Sequence, residues 1–155
     1  MAKAKLDENY LAENVRLLIE KLGVSAVAEV SRIDSIFFVE ISSEDSSLLI
    51  GKYGANLESL QFVLAVRLKS LTGQEDFEIF IDVDGWRRQK EEKLKKMALA
   101  IAEKVSTSGR PESLYNLRSS DRRVVHTTLT NHPRVTTLSE GEGVDRYLII
   151  KPRSD

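Results

Sequence analysis

A chain of 155 residues, 41% hydrophobic and 30% charged, has the bulk for one medium domain or two small ones and the balance of a folded soluble protein. The absence of cysteine excludes a disulfide scaffold and any thiolate metal site or nucleophile, and no apolar run approaches bilayer length. A net charge of −1 hides an asymmetry: residues 1–84 hold 8 Lys+Arg against 15 Asp+Glu, whereas residues 85–155 hold 15 against 9.

The elements follow in chain order. Leu6, Tyr10, Leu11, Val15, Leu18 and Leu22 recur at helical spacing, with Gly23 as a stop. Residues 25–32 and 35–41 read as two strands joined by Arg32-Ile33-Asp34, a tight connection without the usual glycine. A polar loop over 42–47 leads to a short helical turn, Ser46 to Ile50, that presents Gly51. Leu57, Leu60, Val63, Leu64 and Leu68 mark the next helix, which ends near Thr72-Gly73, and residues 76–83 alternate as a strand. The result is a small α+β unit, one sheet with helices on one face, over residues 1–84.

A second unit is expected over 85–155, with almost no linker. It begins with a helix over 86–105 whose buried stripe is Trp86, Leu94, Met97, Ala98, Ile101 and Val105. A strand over 112–117 follows, then a helix from Ser119 or Ser120 to about residue 130, and strands at Val135–Leu138 and Tyr147–Lys151. A polyanion would feel this basic half more strongly at long range.

Two motifs carry chemistry. In Ile50-Gly51-Lys52-Tyr53-Gly54 the glycines permit backbone angles closed to other residues and leave room for a ligand's backbone. The turn opens a helix, whose free amides and dipole favour phosphate, and Lys52 adds a mobile positive charge. Tyr53 stacks on a base or packs sideways. Ile50, Leu57 and Leu60 are candidates for a floor under the bases, with Asn56 at the entrance. The turn lacks the Gly-Lys-Ser/Thr ending of a P-loop and the third glycine of a dinucleotide fingerprint. The second motif is Asp121-Arg122-Arg123-Val124-Val125-His126, in which Arg122 and His126 share a helix face. Its bland alternative pairs Arg122 with Asp121 or Glu112 and makes His126 structural.

Residues 48–61, Leu-Leu-Ile-Gly-Lys-Tyr-Gly-Ala-Asn-Leu-Glu-Ser-Leu-Gln, resemble the core of a KH domain of type II, the prokaryotic form with an N-terminal helix. Such domains clamp about four backbone nucleotides with their Gly-x-x-Gly loop. Many have two basic residues between the glycines, so a single Lys52 implies weaker phosphate attraction. Arg122 to His126, continued by Thr127-Thr128-Leu129, Val135-Thr136-Thr137, Ser139-Glu140-Gly141-Glu142 and Arg146, resembles a small α/β domain family named for an Arg-x-x-x-His motif. That resemblance implies single-stranded nucleic-acid binding by Arg122 and His126, with Arg118 and Arg123 as weaker candidates. The segment Asn116 to Ser120 lacks the Pro and Tyr common there.

A KH unit followed directly by an Arg-x-x-x-His unit is similar to the bacterial Jag family. The resemblance implies cytoplasmic, non-catalytic binding of single-stranded RNA, in post-transcriptional regulation or RNA chaperoning linked to cell elongation and division. It implies no cofactor and no metal, and as partner a small single-KH protein or a second copy of the chain. Many relatives carry an additional N-terminal Jag domain, so this chain resembles a short form. Single-stranded DNA binding and a protein-interaction adaptor are the competing readings. An enzyme comes last: Asp82 and Asp84 lack a completing ligand, the serines of 42–47 lack a base, and His126 and His132 are too few for a zinc centre.

Overall fold

The computed structural model describes residues 5–154. The chain divides into two compact units, Met1–Arg87 and Arg88–Asp155. The first unit ends three residues beyond the expected position because Trp86 packs on its core and Arg87 hydrogen-bonds into its sheet.

The first unit begins with α1 (Glu8–Lys21), capped by Asp7, whose Oδ1 accepts the Tyr10 N–H at 2.9 Å. Leu11, Val15 and Ile19 form its buried stripe at four-residue spacing. Leu22, expected on that stripe, is 58% exposed, because the helix stops at Lys21 and the chain turns away there. Strands β1 (Val27–Ile33) and β2 (Ile36–Ser42) form an antiparallel hairpin. Its turn manages without glycine because Asp34 takes a left-handed φ of 54°, which a short polar side chain tolerates.

The short helix α2 (Ser46–Ile50), a 3₁₀ turn (Lys52–Gly54) and helix α3 (Ala55–Thr72) lead to β3 (Glu78–Val83), which pairs parallel to β2. Parallel pairing requires a crossover, and that crossover carries the glycine turn. The sheet order is β1-β2-β3. Phe37, Val39 and Ile41 of β2 and Ile79, Ile81 and Val83 of β3 pack against Leu57, Leu60, Leu64 and Leu68 of α3 and the stripe of α1. Val63, expected within the α3 stripe, is about half exposed.

Helix α4 (Trp86–Ser108) begins in the first unit. The expected single stripe from Trp86 to Val105 therefore splits: Trp86 belongs to the first core, and Ala98, Ala102 and Val105 belong to the second. The second unit adds β4 (Glu112–Leu114), α5 (Ser119–Leu129), β5 (Val135–Glu140) and β6 (Tyr147–Pro152). Its sheet is antiparallel, in the order β4-β6-β5. Val125 and Leu129 of α5 and Leu148 and Ile150 of β6 complete the core. The strand expected over 112–117 stops at Leu114, since Asn116 adopts a φ of 59° that no strand continues.

Candidate nucleic-acid interface

The glycine turn is built from three left-handed residues. Gly51 has φ 69° and ψ −179°, Tyr53 φ 55°, and Gly54 φ 82°. The Gly51 geometry is accessible essentially to glycine alone. A Cβ there would lie 2.5 Å from Asn56 Cγ. Asn56 is exposed at the entrance, and its Nδ2 donates to the Leu48 carbonyl at 2.8 Å, tying α3 to α2. At Gly54 a Cβ would lie 2.2 Å from Trp86 Cη2, so the turn rests directly on the indole. Trp86 is thereby a packing residue of the turn.

Lys52 and Tyr53 both project from the turn, with Tyr53 71% exposed and the Lys52 ammonium 5.5 Å from its ring centroid. Among the described residues no side chain caps the N-terminus of α3, which leaves its first amides for an incoming acceptor. Ile50 is half-buried. Leu57 is 0% exposed and inside the core, which corrects its expected place under the bases: it supports α3 from within. The apolar surface beside the turn is instead a cavity of about 420 Å³ lined by Leu18, Leu22, Val24, Leu48, Leu49, Leu60 and Val63, with Asn56 and Ser59 at its rim.

Along β3, Ile81 has its backbone groups engaged by side chains. Its N–H donates to Gln61 Oε1 at 3.0 Å, and its carbonyl accepts from Arg87 Nε at 2.9 Å. Arg87 Nη2 also reaches Gln61 Oε1, and its guanidinium lies 4.6 Å from the Phe80 ring centroid.

In the second unit, α5 sets Arg122, Arg123 and His126 against β5. A cavity of about 590 Å³ is lined by Ser119, Arg122, Arg123, His126, Thr137, Leu138, Ser139 and Arg146. This lining holds three arginines and, among the described residues, no carboxylate. Arg122 pairs with neither expected acid. Its Nη1 donates to the Leu117 carbonyl at 2.6 Å and the Arg146 carbonyl at 3.4 Å. Asp121 bonds Lys90 at 2.8 Å, and Glu112 bonds Lys104 at 2.6 Å. His126 Nδ1 sits 2.5 Å from Thr137 Oγ1, so Nε2 is the ring nitrogen left for a ligand. Arg118 occupies the N-cap position of α5 and is not part of this lining. Arg146, absent from the expected set, is part of it; its place depends on strand register, which residue spacing does not reveal.

The residues that tempted an enzymatic reading have structural roles. Asp82 is buried, and its Oδ1 accepts the Val83 and Arg87 amides. His132 Nδ1 accepts the Arg134 amide. Among the described residues no group of three or more His, Cys, Asp or Glu is placed to hold a metal, and no helix is long and apolar enough to cross a membrane.

An arginine–histidine helix lying over an antiparallel sheet is the architecture of the family that residues 92–152 match, the Arg-x-x-x-His (R-three-H) domain. The chain is also homologous to bacterial proteins named RNA-binding protein KhpB. It is 30% identical to that of Clostridium symbiosum over 129 residues, covering 83% of this chain and 58% of the relative. It is 33% identical to that of Bacillus subtilis (71% and 53% covered) and 28% identical to that of Lactiplantibacillus plantarum (92% and 44%). The chain spans about half the length of the curated relatives it matches.

Proposed function

We propose that this protein binds single-stranded RNA, without catalysis, through two sites. The observation that carries the reading is the cavity with three arginines, His126 and no lining carboxylate, in a chain homologous to relatives named for RNA binding. Arg122 and Arg123 would take backbone phosphate, with His126 Nε2 adding a donor or a ring edge. The first unit is read as a type II KH domain, on its order of helix, two strands, helix, glycine turn, helix and strand. Gly51, Lys52 and Gly54 would admit one stretch of backbone, with Ile50, Tyr53 and Asn56 around it. Two modest sites in one chain reinforce each other by effective concentration wherever one strand reaches both. The same reading places the protein in a bacterial cytoplasm, in post-transcriptional regulation or RNA chaperoning, with a small single-KH protein or a second copy as partner.

A salt series of equilibrium binding to a short unstructured RNA tests this, comparing the natural chain with Lys52→Asp and Arg123→Glu. Both side chains are exposed, so both variants should stay folded. The expected result is weaker binding in each and a salt slope shallower by about one for every phosphate no longer neutralised. Unchanged affinity in both would refute the two-site reading and favour the protein-interaction adaptor. Tighter binding to the matched DNA strand would move the assignment to single-stranded DNA.

A further inference from the structure

We propose that Tyr115 is a nucleobase-stacking platform, set beside the arginine cavity so that a strand held there by its phosphates lays one base on the ring. The proposal rests on the nucleic-acid reading above and adds to it a residue outside both motifs.

The geometry starts with the second sheet. Leu148 and Ile150 of β6 face the core, so Tyr147 and Ile149 face the opposite side of the sheet. Tyr115, one residue past β4, stacks on Tyr147 with ring centroids 4.9 Å apart and planes 29° apart. Tyr147 is fixed from its other end: it is paired with Glu140 in the β5–β6 register, and its Oη donates to Glu140 Oε2 at 2.9 Å. The pair is therefore ordered, with the inner ring braced. The outer ring, Tyr115, is 62% exposed. An exposed aromatic face held rigid by a partner suits a base, because little side-chain entropy is lost when the base arrives.

Continuity with the arginine cavity supplies the second argument. Arg146 lines that cavity and is the chain neighbour of Tyr147. Its carbonyl accepts from Arg122, which fixes the strand at the point where it passes from cavity to platform. Leu138, another cavity residue, is paired with Ile149 and is 42% exposed. Phosphate-binding and base-binding chemistry thus adjoin on one strand, the combination that sequence-tolerant single-strand binders use. A stacked tyrosine pair also stabilises the end of a sheet. That role predicts no dependence on bases, which is what the experiment exploits.

Binding of the full chain is measured against two oligomers of equal length: an unstructured RNA and its counterpart with abasic residues. Tyr115→Ala and Tyr115→Leu, checked for folding by circular dichroism, should each lose about fivefold to a hundredfold in affinity for the RNA. Both should change by less than about twofold on the abasic oligomer, and Tyr115→Phe, which keeps the ring, should restore RNA binding. Equal losses on both oligomers, or no loss on either, would overturn the platform. Arg123→Glu separates this failure from that of the parent reading. It should weaken both oligomers alike, and if it weakens neither, the nucleic-acid assignment itself falls.

Discussion

Gly54→Ala puts the construction of the glycine turn to a quantitative test. Gly54 has φ 82°, and an added Cβ would stand 2.2 Å from Trp86 Cη2 and 2.6 Å from its Cζ3. Forcing an L-residue into the left-handed region costs roughly 1–2 kcal/mol. Displacing a packed indole is an overpacking event, typically worth about 1–3 kcal/mol more. The variant should therefore lose about 2–5 kcal/mol of stability in the first unit. Trp86 is the chain's single tryptophan and packs on that unit's core, so its fluorescence in a urea titration reports this transition. The two contributions separate in a double-mutant cycle. In a Trp86→Leu background, followed by circular dichroism, Gly54→Ala should cost only the backbone contribution of about 1–2 kcal/mol. A loss below about 0.5 kcal/mol in the natural background would refute the argument, since surface changes of no consequence fall in that range. An equal loss in both backgrounds would show that the indole contact is not what the added methyl disturbs.

Two further outcomes follow from the structure. Thr137→Val removes the partner of His126 Nδ1; ring orientation is lost, and RNA affinity in a titration should fall while the thermal midpoint shifts by only a few degrees. At Glu40, burial first and the charge of Asp82 second raise the carboxyl pKa above its ordinary value of 4.5. The folded state then holds this proton more tightly than the unfolded chain. Ionised Glu40 costs stability at neutral pH, and that cost disappears as pH falls through the raised folded value toward 4.5. Glu40→Gln should accordingly be more stable than the natural chain at pH 7 and flatten the stability profile over that window, measured by denaturation at a series of pH values.

Much of the fold was legible because periodicity reports burial. The alternation of β2 and the four-residue spacing of Leu60, Leu64 and Leu68 each point to one buried face, and each is buried. Periodicity misleads where two elements compete for one residue. Leu22 continues the spacing of α1 but lies past its last turn, and Ile19 takes the buried place. Trp86 continues the spacing of α4, yet the positive φ of Asp84 and of Gly85 turns the chain so that the indole meets Gly54. The candidate sites divide in the same way. Arg122 and His126 are four apart on one helix, so their common face follows from spacing alone. The Leu117 and Arg146 carbonyls that hold Arg122, and Arg146 as a cavity residue, come from segments outside the motif. Leu57 was misplaced because an apolar residue after a glycine turn can point toward the ligand or the core, and spacing does not separate the two.

The side chains on β3 have a consequence for assembly. β3 ends its sheet, and an end strand ordinarily offers a row of free amides and carbonyls on which another chain can polymerise. At Ile81, in the middle of the strand, Gln61 and Arg87 occupy both outward groups, and Asp82 holds the Val83 amide. An approaching extended segment would have to break these bonds before making its own. The sheet is thereby sealed on this side against runaway self-association, a safeguard that two ordinary polar side chains supply without a proline, a bulge or an extra strand.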